Sequence, residues 1–292
     1  MNLEEKYRID NSNVDLEQLS TIPDLNFSLT KAFRKVDKLS RNLGKFQDVM
    51  YAHNRYSVLI CIQGMDTAGK DSLIREVFKS FNARGVVVQS FKKPTSYELE
   101  HDYLWRHYVT LPERGKFTVF NRSHYENVLI SRVHSQVVLN EMIPGIQKAE
   151  DITDEFWEKR YEEINNFEKH IANNGVIVLK FFLHLSKKEQ KKRILRRLEK
   201  EKHNWKFEPS DIKEREYWDD YQKYYQEAIS KTSTSECPWY VIPADDKAYC
   251  RFAFAKILEE VFSKYDDIKL PKLAPEIKKD LDVYMEKLKN EE

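Results

Sequence analysis

Apolar residues follow two different rhythms along this chain. Between residues 28 and 51, Leu29, Phe33, Val36, Leu39, Leu43, Phe46 and Met50 recur every three or four positions, which predicts an amphipathic helix. Such a helix packs on the core or on a partner subunit. Short runs rich in branched and aromatic residues then appear at 57–63, 86–91, 117–121, 176–185 and 239–243, and helical material follows the first four. That alternation predicts an α/β fold, with a five-stranded parallel sheet covered by helices in three α/β/α layers. Thr95 with Glu98 forms a capping box that opens a helix, and Pro112 and Gly115 mark the turn into the third strand. Residues 187–202 read as a helix crowded with basic side chains. From residue 264 onward the charge density rises around Pro271 and Pro275, the composition of a loosely attached tail.

No internal repeat divides the chain. It reads as one domain over 1–292, with a helical extension at 14–54, a catalytic core at 55–265, a lid at 187–210 and a tail at 266–292. A length of 292 residues, 41% of them apolar, suffices for one substantial core. Cys61, Cys237 and Cys250 are odd in number and lack metal-ligand spacing, so no structural disulfide is expected and a reducing compartment is. No charged leader precedes an apolar run, and no window reaches the roughly 18 apolar residues of a spanning helix. A cytoplasmic protein with no membrane partner is expected. The 49 basic residues nearly balance 48 acidic ones, which argues against wholesale nucleic-acid binding and makes any anion site local.

The first strand points to such a site. It runs through VLICIQ (58–63) into GMDTAG (64–69), and Lys70 begins a helix, so G-x-x-x-x-G-K stands in strand–loop–helix context. Gly64, Ala68 and Gly69 let backbone N–H groups turn inward around phosphate, the helix N-terminus adds positive charge, and the Lys70 ammonium reaches the transferring oxygens. Asp71 stands where a Ser or Thr would hold magnesium. It is read as a catalytic carboxylate or a helix-start charge. Asp66 lies inside the loop. A carboxylate so close to phosphate needs a divalent cation between them, so Asp66 is read as a magnesium ligand or a base.

The third strand ends in FNRSHYENVL (120–129). It delivers Asn121 and Arg122 to the carboxyl edge of the sheet, beside the loop, and Arg122 suits a phosphate clamp because its planar fork binds two oxygens. Glu126, four residues on, could face the same cleft and hold a metal, or could simply pair with Arg122. In the basic segment 187–207, Arg193 and Arg197 lie one turn apart, with Lys192 and Arg196 on the adjoining face. Kinases fold such a segment over donor phosphates as a lid. His101, His107, His124 and His134 are scattered without metal spacing and read as polar or packing residues, and Tyr103, Trp105, Trp205 and Trp218 read as core.

GMDTAGKDS, the segments 90–106 and 111–134, HNWKFEPSDIKERE (203–216), YWDDY (217–221) and PWYVIPADDKAYCR (238–251) together resemble the family-2 polyphosphate kinases over about residues 55–265. The resemblance implies a thymidylate-kinase-like P-loop fold and reversible transfer between inorganic polyphosphate and nucleotides, with Mg2+ as cofactor and Mn2+ as an alternative. It implies a functional set of Asp66, Lys70, Asp71, Arg122, Arg193 and Arg197. Asn121 and the Tyr-Glu that follows resemble the subgroup that accepts both AMP and ADP. Ser135 departs from the family, where proline often follows this histidine.

On this reading Lys70, Arg122 and the lid arginines hold polyphosphate and acceptor in line, while magnesium on Asp66 and Glu126 screens their repulsion. Lys187 and Lys188, with Lys92 and Lys93, extend the positive channel. Arg106, Asn121, Arg122 and Asp66 serve the nucleotide, and the expected partners are polyphosphate, AMP, ADP, ATP and a second copy of the chain. Two alternatives are an ATP-dependent nucleoside or nucleotide kinase, which needs an adenine pocket for its donor, and a P-loop switch without transferase activity.

Overall fold

The computed structural model describes residues 2–10, 13–23, 29–204 and 207–291 of the chain, and the side chains of 29–33, 202 and 203 also lie outside the description. The expected roles of Trp205 and of the Leu29 and Phe33 side chains therefore fall outside the described residues. The described sheet has strands β1 (Arg8–Ile9), β2 (Ser57–Gln63), β3 (Val86–Ser90), β4 (Phe117–Asn121), β5 (Val176–His184) and β6 (Trp239–Pro243). Their spatial order is β1-β6-β5-β2-β4-β3. Strands β2 to β6 pair in parallel as expected, while β1 adds an antiparallel edge to β6. Two residues carry no legible alternation, which is why the sequence pattern gives five strands and the structure six.

β2 is buried on both faces, as the run VLICIQ requires. Val58, Ile60 and Ile62 face a core that includes Leu73, Ile74 and Val77 of the helix Lys70–Val77 and Phe254, Ile257 and Leu258 of the helix Lys247–Phe262. On the opposite side of the sheet, Phe182 of β5 and Trp239 of β6 pack with Trp157, Tyr161, Ile164 and Tyr225 from the helices Asp154–Asn173 and Trp218–Thr232. Three layers result, α/β/α. β2 lies between β4 and β5, where the chain order turns from one side of the sheet to the other, so its carboxyl end is the crevice in which such folds bind ligands.

The amphipathic helix spans Leu29–His53. Val36, Leu39, Leu43 and Met50 are buried, and Phe46 stacks on Phe262 at 4.7 Å between ring centroids. Its apolar face therefore covers this chain's own core. Residues 269–291, including the helices Pro275–Lys279 and Leu281–Lys289, are exposed throughout, apart from Glu292, which lies outside the described residues. Among the described residues no helix is long and apolar enough to cross a membrane.

The fit of the long helix depends on one glycine. Helix propensity alone would have Gly44→Ala stabilise by about 1 kcal/mol. A Cβ there would lie 2.4 Å from the Ser80 carbonyl oxygen, which is backbone and cannot swing away. Overpacking of that kind costs about 1–3 kcal/mol, so Gly44→Ala is expected to destabilise in urea unfolding. A rise in the midpoint would contradict the close approach.

Candidate active site

The loop between β2 and the helix Lys70–Val77 is built from left-handed turns. Thr67 has φ 63° and Gly69 φ 107°. Gly64 leaves no room for a side chain, since a Cβ would lie 3.1 Å from the Ala68 Cβ, the Leu183 Cβ and the Leu183 carbonyl oxygen. The Lys70 ammonium donates to the Gly64 carbonyl at 2.6 Å, across the mouth of the loop. Burial lowers its pKa from 10.5 to about 8; Arg122 pushes the same way, and Asp66, Glu126 and Asp71 oppose it. Those five side chains, drawn from the loop and from the end of β4, thus share one electrostatic neighbourhood.

Arg122 sits at φ 63°, a conformation that non-glycine residues rarely hold outside functional sites. Its N–H donates to the Ile62 carbonyl at 3.2 Å, which ties the end of β4 to the end of β2. Glu126, on the short 3-10 turn His124–Val128, is the first cause of a raised Arg122 pKa and keeps the guanidinium protonated. Asp71 lies in the first turn of the Lys70–Val77 helix without capping it through its side chain. Instead it accepts from Asn121 Nδ2 at 2.8 Å, so Asn121 joins β4 to the P-loop helix. Arg106 pairs with Glu98 at 3.1 Å and donates to the Lys92 carbonyl at 3.0 Å, bracing the segment that follows β3.

The lid helix Lys187–Glu199 closes the other side. Its two signature arginines behave differently. Arg197 donates to Asp66 Oδ2 at 3.1 Å and to Asp211 Oδ2 at 3.1 Å, both at the solvent-facing rim. Burial, and then Asp66, raise the pKa of Asp211. Arg193 is only 6% exposed and engages every donor it has. Nη1 reaches the Thr67 and Ala68 carbonyls at 3.0 Å, Nη2 the Ala244 and Asp245 carbonyls at 2.7 and 2.9 Å, and Nε the Glu189 carboxylate at 3.0 Å. In this state Arg193 has no N–H left for polyphosphate. It braces the loop at the edge of the cleft, where the sequence pattern predicts a phosphate ligand.

Between lid and loop lies a cleft of about 860 Å³. Lys70, Arg75, Lys192, Arg193, Arg196, Arg197, Lys247 and Arg251 line it together with Asp66, Asp71, Glu189, Asp245 and Asp246, and among the described residues Ala248 is its one apolar side chain. Burial and the neighbouring Arg193, Arg196 and Arg251 lower the Lys247 pKa to about 8, a measure of how crowded these cations are. All five lining carboxylates are already engaged, Asp66 by Arg197, Asp71 by Asn121 and Glu189 by Arg193. Asp245 accepts from Ser186 N and Oγ at 2.8 Å, and Asp246 caps the helix Lys247–Phe262. Lys187 does not line the cleft but reaches Asp219 at 3.5 Å, and Lys92, Lys93 and Lys188 lie outside it too. The sequence reading missed Arg75, Lys247 and Arg251. The last two stand four apart at the start of a helix in PADDKAYCR, a spacing that places them on one face.

Tyr225 also escaped notice; it is buried beside Glu126 and Arg122, and burial pushes its hydroxyl pKa up strongly. Of the four histidines, His107 and His124 are buried, His101 stacks on Trp105 and His134 bonds Glu214.

A parallel sheet with a phosphate loop at its switch point, an arginine at the end of the neighbouring strand and a basic lid define a P-loop kinase. Residues 27–269 match the profile of the Polyphosphate kinase 2 (PPK2) family, and the chain belongs to that family. It is 45% identical over 239 residues to the ADP-polyphosphate phosphotransferase of Rhodopseudomonas palustris, covering 82% of this chain and 81% of that one. It is 43% identical over 222 residues to the AMP/ADP-polyphosphate phosphotransferase of Meiothermus ruber, covering 76% and 78%. The crystal structure of polyphosphate kinase 2 from Arthrobacter aurescens superposes with a TM-score of 0.87 at 31% identity, over 98% of this chain and 97% of that one.

The two arginines are expected to separate in mutagenesis. Arg193→Ala leaves buried carbonyls without donors and should destabilise by about 3 kcal/mol or more. Arg197→Ala removes partly exposed pairs and should shift stability by less than about 1 kcal/mol while lowering turnover. Thermal melts alongside initial rates check this, and equal melting losses would refute the division.

Proposed function

We propose that this chain transfers phosphoryl groups reversibly between inorganic polyphosphate and nucleotides, AMP to ADP and ADP to ATP, with Mg2+ or, in its place, Mn2+. The observation that carries the reading is the wall of the cleft. Cations from three helices line it, beside carboxylates already engaged by other groups, and among the described residues no aromatic or large aliphatic side chain is there to hold a base. A donor of repeating phosphates needs such a wall, whereas an ATP donor needs an apolar slot for adenine. The relatives' names agree with polyphosphate as donor and differ over ADP alone or AMP with ADP as acceptor.

The donor chain lies along Lys247, Arg251, Arg196 and Lys192, its end held by the loop amides and Lys70. The acceptor's terminal phosphate lies on the opposite side, against Arg122. An acceptor oxygen attacks the terminal phosphorus, the P–O bond to the next phosphate breaks, and the polymer leaves one unit shorter. Arg122, Arg197 and Lys70 stabilise the charge that spreads over the transferring oxygens. Glu126 holds Arg122, Asn121 holds Asp71, and Arg106 fixes the segment beside the acceptor.

Asp66 and Glu126 would hold the cation. Among the described residues no group of three His, Cys, Asp or Glu could cage a metal. Magnesium needs none, because one or two carboxylates with substrate oxygens and water complete its shell. When bound it would neutralise charge on the phosphates. A homo-oligomer in the cytoplasm completes the proposal. The exposed apolar residues Ile277, Leu281, Tyr284 and Leu288 of the tail would suit contact with a second copy, and Cys61, Cys237 and Cys250 are buried and unpaired.

AMP or ADP incubated with long-chain polyphosphate and Mg2+ should give ADP and ATP, and Lys70→Ala should be inactive. Inert polyphosphate with active ATP would overturn the donor assignment. The Lys70 pKa near 8 adds a pH signature. The charged form binds phosphate, so kcat/KM for polyphosphate should fall as pH rises through about 8, well before an ordinary lysine would titrate. A flat profile to pH 10 would contradict that role.

A further inference from the structure

Behind Arg122 and Glu126 lies a charged cluster that the transfer chemistry does not touch. Lys180 interrupts the apolar strand β5 and is 0% exposed, as are Tyr125 and His124. Its ammonium donates to Glu168 Oε2 at 2.5 Å, to the Tyr125 hydroxyl oxygen at 3.0 Å and to the Thr232 carbonyl at 2.6 Å. Glu168, 1% exposed on the helix Asp154–Asn173, accepts at Oε1 from the Tyr125 hydroxyl at 2.8 Å and bonds His124 Nε2 at 3.0 Å. Burial pushes the Glu168 carboxyl up, but Lys180 and His124 outweigh it and hold the group ionised.

A buried ion pair is a poor stabilising device, since apolar residues of similar size often serve the fold as well or better. What distinguishes this pair is where its remaining bonds go. Both side chains held by Glu168, His124 and Tyr125, belong to the five-residue 3-10 turn His124–Val128, which follows Arg122 and Ser123 and itself carries Glu126. That turn is too short to hold itself, and it begins next to a left-handed Arg122. Other side chains also hold the turn: Ser123 Oγ accepts from Gln63 Nε2 at 3.1 Å at its entry, and Ser131 Oγ and Arg160 Nη1 donate to the Glu126 and Asn127 carbonyls at 3.2 and 3.3 Å further along, but among the described residues only the Glu168 bonds reach the ring side chains of His124 and Tyr125 from the neighbouring helix.

We propose that Glu168, paired with Lys180, is a positioning residue: through His124 and Tyr125 it fixes the turn that aims Arg122 and Glu126 at the nucleotide. This rests on the proposed placement of the acceptor against Arg122. The polyphosphate cleft, on the lid side of the loop, does not include the turn.

The test compares the full-length wild type with the double variant Glu168→Met/Lys180→Met and with Tyr125→Phe, measuring melting temperature and separate KM values for nucleotide and polyphosphate. The double variant removes the pair without stranding a charge. It should lower kcat/KM for the nucleotide about tenfold to a hundredfold, the scale of a misplaced catalytic group, with polyphosphate KM within about twofold of wild type. Tyr125→Phe keeps the ion pair and the His124 bond but loses both hydrogen bonds of the Tyr125 hydroxyl, to Glu168 and from Lys180, and a smaller loss on the nucleotide side alone is expected. Wild-type nucleotide kinetics in a folded double variant, or equal changes in both KM values, would overturn the proposal. If the double variant does not fold, unchanged nucleotide kinetics in Tyr125→Phe would overturn it. A wild type without polyphosphate-dependent transfer would instead refute the proposed function.

Discussion

Arg193 reaches from the lid helix to four backbone carbonyls, two in the P-loop and two in the turn after β6, while Glu189 holds its remaining N–H. Carbonyls that face a cation on the outside leave the loop's amides free to face inward, which is what a phosphate site requires. The same guanidinium fixes the base of the lid to the sheet. Asp245 reinforces that junction by accepting from Ser186 at the lid's start and from Thr21 Oγ1 at 3.0 Å in the N-terminal segment. Loop shape, lid placement and the cleft between them therefore depend on one buried side chain.

Around that brace the charges divide by task. A near-neutral chain concentrates Lys70, Arg75, Lys192, Arg196, Lys247 and Arg251 along one cleft, and engages the adjacent carboxylates of Asp245 and Asp246 in capping. Asp66, Asp71 and Arg197 line the same cleft, and with Glu126 and Arg122 they surround Lys70, the mixture expected where a cation and two phosphates must meet. Burial first, and then repulsion from Arg193, Arg196 and Arg251, depresses Lys247, and a polyanion in the cleft would relieve that repulsion.

Much of this was legible in the sequence. Branched runs gave the five parallel strands, and the periodic face through Val36, Leu39, Leu43 and Met50 gave the long helix. The glycine-bounded loop before Lys70 and the strand end at Arg122 pointed to one candidate site, and the fold brings the two together. What escaped was decided by partners distant in sequence. Arg193 and Arg197 look alike one turn apart, and only the fold puts one under the loop and the other at its rim. Lys187 looked like part of the channel but belongs to the first turn of the lid, beside Asp219. Lys180 was visible as a lone charge in VIVLKFFLH, yet its carboxylate partner lies on a separate helix and no periodicity links them.

The central claim is that the cationic cleft is the path of a phosphate chain, and the most direct measurement is the dependence of KM on polyphosphate length, from tripolyphosphate to long chains, with the nucleotide saturating. A path of successive cations predicts that KM per molecule falls steeply as the chain lengthens and flattens once the cleft is filled, with Lys247→Ala and Arg251→Ala removing the gain for longer chains. A KM independent of length, or equally affected at every length by those substitutions, would contradict it.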